Sequence, residues 1–149
     1  MSQVVVMKEG AGEALRVMGA QVKFLCTGEK TGGKWSLMET ALPEGAGPPP
    51  HRHPWDEAYY VIAGEVRFSL DGREQVFRAG DFVYAPANTL HGFSGVSKSV
   101  ARVLIFDTPA HTEGFFREVD REVRRMPEDL PKALAIAERH DIHFVRPRA

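Results

Sequence analysis

The chain has 149 residues, 43% of them hydrophobic and 26% charged, with 19 Lys and Arg against 20 Asp and Glu and a formal net charge of −1. This length and mix predict one globular domain with a sizeable core, and the even charge offers no basic footprint for nucleic acid or an anionic membrane surface. No apolar run reaches bilayer length and the start, Met1 to Glu9, carries no cleavage pattern, so a cytoplasmic protein is expected.

In chain order, strands are predicted at Gln3 to Met7, Val17 to Cys26 and Trp35 to Ala41, broken by the turn-rich GEKTGGK. The lone cysteine, Cys26, excludes an intramolecular disulfide, and its place in an apolar strand predicts a buried structural thiol rather than a nucleophile. Pro48, Pro49 and Pro50 then form a stiff extended lead-in to His51 and His53, and Pro54 biases His53 away from the helical region. Beyond them Glu57, Tyr59 and Val61 share one strand face and Ala58, Tyr60 and Ile62 the other, up to a turn at Gly64. Both faces read as covered, as in a barrel or sandwich.

Further strands are expected from Glu65 to Leu70, from Arg73 to Phe77 after an Asp71-Gly72 hairpin, and from Phe82 to Ala85 after a Gly80-Asp81 turn. Another begins at His91 after the Pro86 to Thr89 turn, and a last runs from Val100 to Phe106. Many short strands without intervening helices argue an antiparallel barrel or jelly roll. From Thr112 the period becomes helical: Phe115, Phe116, Val119 and Val123 form a stripe with Thr112 as cap and Pro127 as stop. A second helix is read from Leu130 to about His140, capped by Asp129, with Leu134, Ile136 and Ala137 apolar, before a strand-like Ile142 to Val145. These helices read as packing elements that close one barrel mouth or contribute to a dimer. The division expected is 1–110 for the barrel and 111–149 for a helical extension packed on it, within a single domain.

The chemistry concentrates in four side chains. His51, His53, Glu57 and His91 are the donor types that hold one divalent transition metal. With six histidines present, a chance His-x-His is expected in roughly one such chain in four. Requiring also Glu after three residues and Gly after six more lowers the expectation to about two in a thousand. His91 and Phe93 share a strand face, so if the two blocks line one cavity the four donors converge.

At these residues the chain resembles the cupin superfamily. The first cupin motif is Gly, five residues, His-x-His, three or four residues, Glu, six residues, Gly; Gly45, His51, His53, Glu57 and Gly64 match it throughout. The second is Gly, five residues, Pro-x-Gly, two residues, His, three residues, Asn; Gly80, Pro86 and His91 match, while Asn88 replaces the glycine and Gly95 the asparagine. Asn88 can keep the turn, because asparagine tolerates positive φ better than other non-glycine residues. The Gly-Pro-Pro-Pro-His-x-His lead-in and the Phe-rich tail are similar to small bacterial cupins grouped with quercetin 2,3-dioxygenase.

The resemblance implies an all-β double-stranded β-helix (jelly-roll barrel) with a short C-terminal helical extension. It also implies one divalent metal (Fe, Mn, Ni, Co, Cu or Zn) on His51, His53, Glu57 and His91, and a homodimer. The leading expectation is a metal-dependent dioxygenase acting on a small enol, flavonol or diketone-like substrate, with Glu57 also taking the substrate's hydroxyl proton. An isomerase or cyclase with the metal as Lewis acid, a non-catalytic module that binds or senses a metal or small molecule, and a cupin whose metal is only structural stand as alternatives, because a fold does not fix a reaction. A small molecule is the expected partner, with no nucleic acid and no membrane. His111, His140 and His143 are assigned structural or solvated roles. Trp55 and Asp56 are read as a loop that either gates the site or lies exposed. Tyr59, Phe93, Trp35 and Phe106 are read as barrel filling in preference to pocket lining.

Overall fold

A computed structural model describes residues 3–145. The chain forms β1 (Ala14–Val17), β2 (Ala20–Cys26), β3 (Ser36–Leu42), β4 (His51–Arg52), β5 (Asp56–Ala63), β6 (Glu65–Leu70) and β7 (Arg73–Arg78). These are followed by β8 (Phe82–Ala85), β9 (His91–Gly95), β10 (Ala101–Thr108), α1 (Glu113–Glu122), α2 (Leu130–Arg139) and β11 (His143–Phe144). They make two antiparallel sheets, ordered β1-β2-β3-β10-β5-β8 and β11-β4-β9-β6-β7, in the predicted jelly-roll arrangement with a short helical tail.

Strict alternation fixes which residues fill the space between the sheets. On β3, Ser36, Met38, Thr40 and Leu42 are buried, and on β10 Ala101, Val103, Ile105 and Asp107 are, while the residues between them point outward. The same two-residue period on β5 buries Glu57, Tyr59 and Val61. A one-residue slip would expose all three, so the hydrophobic pattern also sets the register of the acidic side chain. Phe68 of β6 lies at the centre, its ring 5.1 to 5.4 Å from those of Tyr59, Phe77 and Phe93.

Several expectations require correction. Gln3 to Met7 is not a strand: no neighbouring strand pairs with it, and Val4 and Val6 are 93% and 72% exposed. Val17 to Cys26 is two strands, because Met18 and Gly19 both take positive φ and form a hairpin turn. Cys26 is only partly buried. The outer face of β5 is not covered, and Trp35 and Phe106 pack on each other outside the barrel rather than filling it, with ring centroids 5.7 Å apart. The helices run slightly shorter than expected, and their caps differ. Thr112 directs its hydroxyl to Asp107 rather than to the helix, and the Asp129 carboxylate accepts from the backbone N–H groups of Arg124 and Arg125.

Other details follow the expected chemistry. Asp71 and Gly72 both have positive φ, as a two-residue hairpin turn requires. Phe115 and Val119 of α1 are buried, and Phe116 packs on Phe24 at 6.0 Å, so this helix closes one end of the barrel. The strand-like end is β11, which pairs with β4 beside His51.

Candidate metal centre

Each side chain of the four-residue cluster arrives on a different structural support. His51 lies on β4, directly opposite His91 of β9. His53 follows the end of β4, and Glu57 stands on the inner face of β5. The prolines anchor this arrangement through their carbonyl groups: Pro48 accepts from the backbone N–H of Phe93 at 3.1 Å, and Pro50 from that of Val145 at 3.1 Å. The second block is tied to the first by the N–H of Asn88, which donates to the His53 carbonyl at 2.8 Å.

Asn88 has φ of 68°, the left-handed turn that the sequence predicts it can adopt. The other departure from the motif also has a cause. A Cβ on Gly95 would lie 2.7 Å from the carbonyl oxygens of both Leu42 and Pro43, so no asparagine fits there.

One ligand atom from each of His51, His53, Glu57 and His91 can be chosen so that all lie within 4.8 Å of one another, and all four residues are buried. The imidazoles are aimed by their neighbours. Nδ1 of His51 bonds the Pro49 carbonyl at 2.9 Å, Nδ1 of His53 that of Trp55 at 3.1 Å, and Nδ1 of His91 that of Thr89 at 2.8 Å. A carbonyl can only accept, so every Nδ1 carries the proton and every neutral ring presents Nε2 as a lone pair. Among the described residues Nε2 of His53 has no hydrogen-bond partner, while Oε1 of Glu57 lies 3.3 Å from His91 Nε2. Three lone pairs and a carboxylate in one buried space are costly without a cation, so the donor set fits a single metal ion.

The electrostatics agree. Burial, reinforced by the charge of His91, lowers the His51 pKa to about 3, which keeps it neutral. Burial also disfavours the charged form of His91, but its hydrogen bond with Glu57 and the charge of that carboxylate outweigh this and raise the His91 pKa. Burial works against ionised Glu57 as well, yet hydrogen bonding from Asp107 foremost, and then from the neighbouring imidazoles of His53 and His91, holds its carboxyl well below the usual range.

Three residues that sequence reasoning underrated complete the surroundings. Trp55 does not lie exposed: it is 2% exposed and stacks on His53, centroids 4.2 Å apart and planes 9° apart. Tyr59 fills the barrel as expected but also donates its hydroxyl hydrogen bond to Glu57 Oε1. Asp107 escaped notice altogether. It faces Glu57 across the β10–β5 ladder, is wholly buried, and accepts from the Thr112 hydroxyl at 2.8 Å. Burial first, then the charge of Glu57, pushes its carboxyl well above the usual range. The signal was available: Val103, Ile105 and Asp107 share a period-2 face that an acid does not normally occupy.

The remaining histidines lie outside the cluster. His140 pairs with Glu118 and His143 with Glu138, each at 2.9 Å, while the His111 ring lies 5.2 Å from that of Trp55. Asp56 accepts from the backbone N–H of Ala87 at 2.8 Å. A small, largely apolar cavity of about 60 Å³ adjoins His51, His53 and Glu57. Phe93 lines it, contrary to the expectation of pure core filling, and Phe115, Phe116 and Phe144 from the C-terminal segment enclose it.

Residues 38–107 match the cupin domain family. The chain is 30% identical over 114 residues to quercetin 2,3-dioxygenase of Bacillus subtilis (strain 168), covering 75% of this chain but only 33% of that protein. It is 27% identical over 120 residues to polyketide synthase CurC of Streptomyces cyaneus, covering 79% of this chain and 78% of the other. Among solved structures, an RmlC-like cupin from Shewanella frigidimarina NCIMB 400 superposes with a TM-score of 0.63 at 22% identity, over 73% of this chain and 93% of that one, which establishes likeness of fold.

Proposed function

The chain belongs to the cupin superfamily, and on that premise we propose that it is a mononuclear metal-dependent enzyme of the dioxygenase type, acting on a small enol, flavonol or diketone-like substrate. The observation that carries this reading is the convergence of three Nε2 lone pairs and one carboxylate beside a largely apolar cavity. His51, His53, Glu57 and His91 are the ligands in this proposal. A divalent ion held there would leave one or two positions for a substrate oxygen or dioxygen and would polarise what binds.

The residues divide the remaining work. The carbonyls of Pro49, Trp55 and Thr89 hold the three imidazoles in register. Glu57 takes the proton of the substrate hydroxyl on a carboxylate oxygen as the enolate forms, and the Tyr59 hydroxyl hydrogen bond orients that carboxylate. The apolar walls and the phenylalanines of the C-terminal segment keep water from the anion. Residues 1–110 and 111–149 belong to one functional unit in this account, since Phe115, Phe116 and Phe144 of the second help enclose the cavity of the first.

The test is oxygen uptake by protein reconstituted with each candidate metal against a flavonol and 1,2-diketone panel. Uptake that requires both metal and substrate is expected, and its absence with every metal overturns the dioxygenase assignment. A second reading, isomerisation or cyclisation without redox change, uses the same four ligands with the metal as a Lewis acid. Product formation without oxygen consumption distinguishes it.

A homodimer is part of the proposal. Tyr60, Phe82, Tyr84 and Phe106 are 46%, 62%, 55% and 36% exposed on the outer face of one sheet, an aromatic cluster of the kind that marks an association surface. Sedimentation of the protein and of a Phe82→Glu, Tyr84→Glu variant tests it. Among the described residues no helix is long and apolar enough to cross a membrane. A small-molecule partner and a cytoplasmic location remain part of the same proposal.

A further inference from the structure

Two residues of the cavity wall carry buried polar atoms that have no role in the centre described above. Thr40 sits on the inner face of β3, and Trp55 packs against His53; both line the cavity and are 3% and 2% exposed. Among the described residues neither the Thr40 hydroxyl nor the Trp55 indole N–H finds a hydrogen-bond partner. A buried donor without a partner is costly, and native structures tolerate it mainly where something else supplies the partner. The His53 Nε2 in the same wall is orphaned too, and the metal ion accounts for it. Nothing comparable accounts for the other two.

We propose that Thr40 and Trp55 are the specificity-determining pair of this site, donating hydrogen bonds to oxygen atoms of an otherwise apolar, uncharged substrate beyond the oxygen that meets the metal. The inference rests on the proposed function, whose ligand set it takes as given. The indole N–H can only donate, so it selects an acceptor such as a carbonyl, ether or phenolic oxygen. The hydroxyl can donate or accept, which suits a carbonyl or a hydroxyl group. Among the described residues lining the cavity there is no lysine or arginine, so a carboxylate bound away from the metal would be buried without a counter-charge. A site of this kind rejects an analogue that lacks the matching oxygen, because its own donors then stay unpaired.

The experiment uses the metal-loaded full chain and its Thr40→Val, Thr40→Ser and Trp55→Phe variants. Binding of tropolone, 3-hydroxyflavone, 3,5,7-trihydroxyflavone and oxalate is measured by fluorescence titration, with metal content measured alongside. Thr40→Val keeps shape and removes only the hydroxyl; Trp55→Phe keeps an aromatic ring against His53 and removes the N–H. The expected result is that the tightest neutral probe loses about tenfold in affinity with Thr40→Val and with Trp55→Phe, at unchanged metal content, and that Thr40→Ser restores binding. Unchanged affinity in both deletion variants at full metal content overturns the proposal, as does wild-type protein that binds oxalate alone or none of the four. Binding with the expected losses but no turnover of any probe leaves the pair standing and removes the enzyme assignment, so the two readings fail separately.

Discussion

The backbone N–H of Asn88 donates to the carbonyl of His53 at 2.8 Å, joining the turn that precedes His91 to the segment carrying two other members of the metal cluster. The bond requires the left-handed backbone at Asn88, φ 68°. A glycine there should therefore be silent, whereas a β-branched residue must carry the steric cost of that conformation, about 1–2 kcal/mol. Asn88→Gly is expected to keep melting temperature and metal content, and Asn88→Val to lower the stability by that amount. Thermal melts with metal analysis check it, and a stable, fully loaded Asn88→Val protein contradicts the account.

Removing a ligand should matter more than removing any other residue in the cavity wall. His53→Ala leaves the other donors converging on an incomplete set, and Glu57→Ala removes the compensating negative charge. Both are expected to cut metal content sharply in protein purified without an affinity tag. Chelation of the wild-type protein should lower its melting temperature by roughly 5–10 °C, the shift corresponding to metal present at about a hundredfold over its dissociation constant. Stoichiometric metal in both variants would sink the ligand assignment.

Much of this centre could be read from the chain because its constraints are local. Three prolines and Pro54 fix the backbone around the first two histidines, and the two-residue period of β5 puts Glu57 on their side. What could not be read depends on contacts between distant segments. Gln3 to Met7 has the composition of a strand, but pairing needs a neighbour, and this segment has none among the described residues. Trp55 does lie in the loop between β4 and β5, but its burial cannot be read locally, because the stacking on His53 depends on where the loop folds back. The exposure of the outer face of β5 is not legible either, since apolar residues such as Tyr60 do not reveal whether anything covers them.

Metal uptake should weaken in acid, with a sign that follows from His91. Its pKa is raised, so in the metal-free protein the protonated His91 and Glu57 pair stabilises the fold fully below the unfolded value near 6.5, and this contribution fades as pH rises through the folded value. Metal must displace that proton. The melting-temperature gain on adding metal is therefore expected to be small at pH 5.5 and larger at pH 8. A gain independent of pH over this range argues that His91 is not a ligand.

The centre of the barrel gives a prediction independent of metal. Phe68 has no exposed surface and touches the rings of Tyr59, Phe77 and Phe93, so truncation leaves a cavity that its rigid aromatic neighbours fill poorly. Phe68→Ala should cost about 3–5 kcal/mol in denaturant unfolding. A loss under 1 kcal/mol would mean that the sheets close over the gap.

Asp107 supplies the sharpest test of the network behind Glu57. Burial and the charge of Glu57 raise its pKa, so it stays protonated in the folded chain where the unfolded chain has already ionised it. For a carboxyl raised in this way, folding stability falls as pH climbs from the unfolded value near 3.9 toward the folded one. Asparagine has the same shape and no proton to lose. In metal-free protein, Asp107→Asn should therefore flatten the stability profile above about pH 4 while retaining the fold. Asp107→Ala should behave differently, because it leaves the Thr112 hydroxyl without its acceptor and opens a void beside Glu57, at a cost of about 1–3 kcal/mol. If Asp107→Asn shows the same pH profile as the wild type, Asp107 is ionised in the folded chain and the neutral-carboxyl assignment is wrong.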